Sequence, residues 1–461
     1  MTSRLRTFVV VMALVVMTSA CSGSPTAPPK TDPPPGPARR AQIASVWGIS
    51  IILTNMEIVV SKKDFKKEIE IVERKGAGHP DTLADGLAEI LSLNFSNYSL
   101  KKFGAVLHHN FDKVGLLGGS SYVSFGKGYM TGPIKVLING RISTKFADEV
   151  IPTRKLLVEW TKNFFRERLP LIDPDEDLEI LLNLSKQSSP GKTYEKEAKK
   201  SARQKWFEPE GLDDLPEFNK LRSNDTSIGV GYAPVSTLEK VVLNIEHTLN
   251  SENFRKENPW IGSDIKIMGV KNKEKFNITL CIPQIANHVK DLRVYTNNLL
   301  MARRHIEHIL TDNLIQSFEI SINTRDNYEL AELYLTATGS SIESGDEGLA
   351  GRGNRVNKVI SPTRPMSMEG SCGKNPIYHI GKLYYVAAFD IAEKIFNKFG
   401  VENEVFLVSQ SGRDLLDPWV TIVNIPENFN HESELRKLVE EGIINIPSIS
   451  KAILNHEIEI C

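Results

Sequence analysis

From Met56 onward, short runs rich in β-branched and aromatic residues alternate with longer stretches whose apolar positions recur every three or four residues. The short runs IEIVER, KVLING, DIKIMGV, FNITLCI, SFEISI, ELYLTATG, NEVFLVS and WVTIVN read as strands. The longer stretches DTLADGLAEILSLNF, RKLLVEWTKNFFRERL, DLRVYTNNLLMARRHIEHIL and IYHIGKLYYVAAFDIAEKIFNKF read as helices. STLEKVVLNIEHTL is a further helix, opened by a capping box of Ser236 and Glu239. Strands often fall in neighbouring pairs rather than strictly alternating with helices. The pattern therefore predicts an α/β protein of the α+β type with largely antiparallel or mixed sheets, not one doubly wound sheet.

The pattern before Met56 is different. Arg4 and Arg6 precede the apolar run FVVVMALVVM, which is followed by small residues and Cys21, as in a bacterial lipoprotein signal, although Thr18 stands where Leu or Val is usual. SPTAPPKTDPPPGP is an extended linker. IASVWGISIILTN is too short to span a bilayer. Basic residues before Met56 are mostly Arg, whereas the chain after it is dense in Lys, Ile and Asn. The shift marks residues 1–55 as an extension or misassigned start, with a surface-anchored lipoprotein as the alternative.

Composition sharpens this only a little. At 461 residues, 41% hydrophobic and 25% charged, the chain is an ordinary globular protein of two or three domains. A net charge of −1 gives no global field for nucleic acid or an anionic membrane, so any polyanion site must be local. Cys21, Cys281, Cys372 and Cys461 lie far apart without metal-ligand spacing. This argues against a disulfide framework or a zinc site and fits a reducing compartment.

Four polar, glycine-rich clusters carry the candidate chemistry. The longest, SGDEGLAGRGNRVNKVISPTRPMSMEGSCGKNP at 344–376, is too polar for a core, and its Asp, Arg and Lys residues suit a metal-bound polyphosphate. In GAGHPDTLADG, Pro80 can start a helix, which puts His79 and Asp81 at an N-terminus that favours anions. There His79 can donate to a phosphate while Asp81 or Asp85 holds Mg²⁺. An N-cap Asp with a satisfied His is the bland alternative. LHHNFDKV adds His108, His109, Asp112 and Lys113, and the two histidines, adjacent in a strand, point to opposite faces. GGSSYVSFGKG, a glycine-rich turn carrying Lys127, follows at once, and SNDTSIGVGYAP places Asp225 in a fourth cluster. Together they point to one shared polyphosphate-metal site.

Familiar signatures are missing. GKT at Gly191–Thr193 has Lys186 where a P-loop needs glycine, GRGNRV lacks the dinucleotide fingerprint, and no GxSxG or HExxH occurs. Without a nucleophile motif, positioning and charge stabilisation are left to carry any reaction.

ERKGAGHPDTLADG, LHHNFDKVGLLGG, SNDTSIGVGYAP, SDIKIMGV and the 344–376 cluster, in this order over Met56–Cys461, resemble the archaeal-type S-adenosylmethionine synthetase, or methionine adenosyltransferase. The resemblance implies three similar α/β domains, near 56–190, 191–325 and 326–461, with interleaving allowed. It implies a cytoplasmic homodimer with interfacial active sites, Mg²⁺, the wider family's K⁺, and no nucleic-acid or stable membrane partner. ATP, L-methionine and water would give S-adenosylmethionine, phosphate and diphosphate. By motif, His79 donates to the leaving oxygen, Asp81 binds Mg²⁺, and Arg352 and Lys374 clamp phosphates. Asp346 contacts nucleotide or methionine, Asp225 methionine or adenosine, Glu73 the methionine or cation pocket, and Gly191 and Lys192 border the nucleotide.

Two departures from the bacterial and eukaryotic pattern suit the archaeal type. Thr82 follows the HPD triplet where those enzymes carry Lys, and Gly353 replaces a second base after Arg352. Phosphate contacts must be redistributed, to Lys113, Lys127 or Arg355. A nucleotide-binding lipoprotein without turnover, or a kinase lacking a P-loop, remain the other readings.

Overall fold

The computed structural model describes residues 56–186, 202–215 and 220–461, position 218, and a backbone hairpin of Ile43–Val46 with Ile49–Ile52. The lipoprotein-like run, the proline-rich linker, Gly191 and Lys192 lie outside the described residues.

In chain order the elements that build the body are β1 (Ile58–Lys62), β2 (Ile69–Lys75), α1 (Pro80–Phe103), β3 (Gly115–Leu117), β4 (Ile134–Ile142), α2 (Thr153–Arg168) and β5 (Leu178–Ser185). Then come β6 (Ile228–Ala233), α3 (Thr237–Asn250), β7 (Lys266–Asn272), β8 (Lys275–Cys281), α4 (Leu292–Asp312) and β9 (Phe318–Ile322). The last are β10 (Gly348–Leu349), α5 (Ile380–Phe399), β11 (Asn403–Val408), β12 (Val420–Ile425), α6 (Glu432–Ile444) and α7 (Ile446–Leu454).

Three mixed sheets share one plan, with orders β10-β3-β4-β5, β2-β7-β8-β9 and β6-β11-β12-β1. In each, the first two pairings are antiparallel and the last is parallel. Helices α1 and α2 share a buried apolar cluster with the first sheet, α3 and α4 with the second, and α5, α6 and α7 with the third. Fully buried Leu and Ile side chains in these clusters contribute roughly 1.5–3 kcal/mol each.

Every third of the chain supplies its own helices and central hairpin, but other thirds complete its sheet. β1 closes the third sheet, β2 edges the second, and α1 packs on the first; β5-β6-α3 and β9-β10-α5 repeat that hand-over. Each sheet thus draws strands from more than one third of the chain.

Local signals explain most of the elements. Ser236 and Glu239 form the expected capping box of α3. ELYLTATG is the exception: only Leu335–Thr336 is strand, because the Ala337 and Thr338 N–H groups donate to the Glu343 carboxylate instead of a neighbouring strand. GGSSYVSFGKG is not a turn alone but the hairpin Ser120–Ser124 with Lys127–Gly132. Cys372 and Cys461 are joined as a disulfide, against the expectation from their spacing; their 89-residue separation hides the pairing from the sequence. No helix among the described residues is long and apolar enough to cross a membrane.

Candidate active site

The turn before α1 is drawn tightly onto the segment leading into β7. Gly78 N–H donates to Ser263 O at 3.0 Å, and a Cβ at Gly78 would lie 2.2 Å from Ser263 Oγ. Pro80 starts the helix, and its N-cap is His79, not Asp81. His79 Nδ1 accepts the Asp81 N–H at 3.1 Å, which leaves the ring proton on Nε2. Burial lowers the His79 pKa, with Asp264 and Asp81 opposing. The imidazole is a neutral donor.

Carboxylates gather around this histidine. Asp81 accepts from Lys75 Nζ at 2.8 Å and from Leu349 N–H at 3.0 Å. Burial pushes its carboxyl upward, yet the Lys75 and Leu349 bonds hold it below the usual range. Lys75 also donates to Arg352 O at 2.7 Å, so the HPD turn and the 349–353 loop are fastened together. Asp264 is buried and accepts from Ser341 N–H at 2.9 Å. Its pKa is raised by burial, with Asp346 adding to the effect and His79 opposing it. Ser341 Oγ is 3.0 Å from the exposed Asp346 carboxylate. Glu73 on β2 pairs with Lys266 on β7 at 3.2 Å.

Asp85, expected to share Mg²⁺ with Asp81, faces the same loop. It is 3% exposed, and its two oxygens accept the Gly351 and Gly353 N–H groups at 2.6 and 2.9 Å. Burial raises its pKa to about 6, against the pull of those amides and Arg355. Both of its oxygens are thus bonded to the loop, as both Asp81 oxygens are bonded to Lys75 and Leu349.

A second group surrounds a cavity of about 880 Å³. Its lining includes His108, Asp112, Lys113, Asp225, Glu369 and Tyr378, but none of Glu73, His79, Asp81, Asp346 or Arg352. Lys113 is exposed and pairs with Asp112 at 2.8 Å. Asp225 is exposed and accepts the Thr226 N–H at 2.8 Å. Lys374 is 2% exposed, ion-paired with Glu369 and 3.9 Å from Asp112. Burial pushes its ammonium down to about 8, with Asp112 opposing.

The adjacent histidines take different partners, and both line the cavity. His109 is buried, with Nε2 2.8 Å from Ser92 Oγ and Nδ1 2.9 Å from Leu107 O. His108 hydrogen-bonds Tyr378 and packs edge-on against Phe207, 4.4 Å between centroids.

The expected site residues therefore fall into two assemblies: Glu73, His79, Asp81, Asp346 and the Arg352 loop in one, Lys113, Asp225 and Lys374 in the other. Of the three bases proposed to take over missing phosphate contacts, only Lys113 lines the cavity. Arg355 donates to Gly351 O and Gly353 O at 2.7 Å, and Lys127 lies over the Tyr122 and Tyr129 rings. Sequence reasoning missed Lys75, Asp264 and Glu369. All three sit inside quoted motifs, but only contacts across the fold distinguish them from their neighbours.

A family profile described as S-adenosylmethionine synthetase (AdoMet synthetase) matches residues 53–205 and 209–457. The chain is 36% identical over 409 residues to the S-adenosylmethionine synthase of Thermoplasma acidophilum, covering 86% of this chain and 96% of that protein. It is 36% identical over 406 residues to the S-adenosylmethionine synthase of Archaeoglobus fulgidus, covering 85% and 96%. A solved structure of an unusual S-adenosylmethionine synthetase from Campylobacter jejuni superposes with a TM-score of 0.52 at 15% identity, over 82% of this chain and 89% of that one, and shares its fold.

Proposed function

The chain belongs to the S-adenosylmethionine synthetase family, and on that premise we propose that it joins ATP and L-methionine, with water, into S-adenosylmethionine, phosphate and diphosphate. One observation carries the assignment of residues to this reaction: motifs nearly three hundred residues apart are bonded into one assembly through Lys75, Asp81, Leu349 and Arg352. The matched family and relatives favour a synthetase over a binding-only lipoprotein.

The methionine sulfur is neutral and already nucleophilic, so its in-line attack on the ribose C5′ needs no general base. The barrier lies in charge building on the departing triphosphate, which fixed donors and cations must stabilise. His79, neutral with its proton on Nε2, donates to the leaving oxygen. Arg352 and Lys374 hold phosphate oxygens, with Lys113 as a further cation at the cavity. Asp346, Asp225 and Glu73 contact the nucleotide and methionine, and Gly191 and Lys192 border the nucleotide.

The carboxylates around His79 are the hard oxygen donors a divalent ion takes, but among the described residues they are not gathered around one point. Asp264 is buried, and that burial pushes its carboxyl upward, with a smaller contribution from Asp346. By the family pattern Asp81 would hold Mg²⁺. When bound, the ion offsets charge on the polyphosphate. K⁺ is taken from the family pattern without assigned ligands. ATP and methionine place the reaction in the cytoplasm.

Two separate assemblies in one chain favour a homodimer in which the His79 group of one copy meets the Lys374 group of the other. The full chain, incubated with ATP, methionine, Mg²⁺ and K⁺ and followed by mass spectrometry, should give methionine-dependent S-adenosylmethionine with phosphate and diphosphate. ADP, or binding without turnover, would sink the reading. Mixing inactive His79→Ala and Lys374→Ala chains should restore part of the turnover through shared sites. Failure of exchanged dimers to recover would refute the interfacial arrangement.

A further inference from the structure

Helix α1 carries three acidic residues spaced four apart, Asp81, Asp85 and Glu89. That spacing stacks them on one helix face. All three are buried, at 8%, 3% and 6% exposure. Each accepts main-chain N–H groups from the two loops that hold Arg352 and Lys374. Asp81 takes Leu349 N–H at 3.0 Å, Asp85 takes Gly351 and Gly353 N–H at 2.6 and 2.9 Å, and Glu89 takes Gly373 N–H at 2.9 Å.

Ordinary helix chemistry does not explain this row. The helix dipole favours an acid only in the first turn, which accounts for Asp81 but not for Asp85 or Glu89. Like charges four residues apart repel, and burying them is costly unless each finds partners. Each has one: Lys75 at 2.8 Å from Asp81, the Arg355 charge acting on Asp85, and Lys382 at 2.7 and 2.8 Å from Glu89. Lys382 is fully buried. The loops are also shaped to the row. A Cβ at Gly353 would lie 2.2 Å from Asp85 Oδ2, so the residue after Arg352 can come this close only as glycine. Asp85 grips the main chain on both sides of Arg352, and Glu89 grips it directly before Lys374.

We propose that Asp85 and Glu89 are positioning residues of the adenosyl transfer, setting the main chain beneath Arg352 and Lys374 so that each side chain is held toward the triphosphate of the site it serves. This rests on Arg352 and Lys374 being phosphate contacts.

Two double-mutant cycles on the full chain test it, with kcat, the KM for methionine and thermal unfolding measured for each variant. Asp85→Asn keeps the shape but turns one acceptor oxygen into a donor facing a loop N–H. It should lower kcat about tenfold, the scale of a small misplacement of a catalytic group, with the methionine KM changed less than about twofold. The loss should vanish when Arg352 is already Ala. Glu89→Leu with Lys382→Met removes the Gly373 acceptor without stranding a buried ammonium, and its loss should vanish in Lys374→Ala. Glu89→Gln with Lys382→Met retains an acceptor oxygen and should regain most of the turnover that the Leu variant loses. If Arg352→Ala and Lys374→Ala are themselves silent, the phosphate reading beneath the proposal falls. If those two are damaging but the helix variants lose the same factor in either background, or lose nothing, the positioning role alone is overturned. Should Asp85→Asn fail to fold, the Glu89 cycle decides.

Discussion

Around His79, polar groups close on one another: Lys75 on Asp81, Ser341 on Asp264, Lys266 on Glu73, loop amides on the helix carboxylates. Around the 880 Å³ cavity, Lys113 and Asp225 stand exposed, and the lining is open to a large ligand. On the proposed reading the first region is a frame whose charges also support the fold, and the second a receptor whose exposed Lys113 and Asp225 line the cavity. Substitutions at the mutually paired charges should therefore cost stability, and substitutions at the groups proposed to touch substrate, in either region, should cost turnover.

The largest effect is expected at Lys75. Lys75→Ala leaves Asp81 buried without its cation, and breaking such a pair costs about 3–5 kcal/mol. Denaturant unfolding in metal-free buffer should show that loss. A variant as stable as the parent would erase the distinction between frame and receptor. Next comes Lys374→Ala, which should cut turnover about a hundredfold or more, the scale of one preorganised charge contact, and Asp346→Asn should do likewise. Lys374 is buried and paired with Glu369, but that carboxylate is a quarter exposed and can be solvated when Lys374 is removed, so the loss of stability should be smaller than for Lys75→Ala. A collapse in stability instead would move Lys374 from receptor to frame.

How much of this was readable in advance differs between the regions. The helices, the capping box at Ser236 and most strands follow from local periodicity. The edge strand Gly348–Leu349 does not, because two residues carry no pattern and their pairing with Leu116 and Gly115 is made across the fold. Likewise Asp81 and Asp85 look alike in HPDTLADG, yet only the fold shows that both Asp85 oxygens face loop amides. Gly353 stood out as a missing base. The structure gives its reason: the Asp85 carboxylate occupies the space a side chain would need. The motifs identify which segments converge, and the contacts decide which residue in each does the work.

The floor beneath Lys374 gives a pH test of intermediate size. His109 is held neutral by burial, its pKa lowered to about 3, and Ser92, which contacts it, donates to Lys374 O at 3.0 Å. Between the unfolded value near 6.5 and about 3, the unfolded chain binds the extra proton. Stability is therefore full above pH 6.5 and falls on acidification by up to about 1.4 kcal/mol per pH unit from this group, or about 2 kcal/mol by pH 5. His109→Gln should flatten the profile between pH 6.5 and 5 relative to the parent. An equally steep profile in the variant would show that the floor's histidine does not titrate on unfolding.

The smallest effect separates exposure from importance. Lys113 reaches into the cavity with its side chain 72% exposed, and its pair with Asp112 is the kind that contributes little to stability. Lys113→Ala should leave unfolding unchanged within error. Its effect on turnover depends on whether a screened cation at the rim still feels the triphosphate. A contact of that kind contributes about twofold to fivefold, mostly in the KM for ATP, and fades as salt is raised. A hundredfold loss in kcat that persists at high salt would mean the cavity closes around Lys113 when ATP binds. The receptor would then be built in the complex rather than standing ready in the free chain, and the contrast with the preformed frame around His79 would become one of timing as well as of stability.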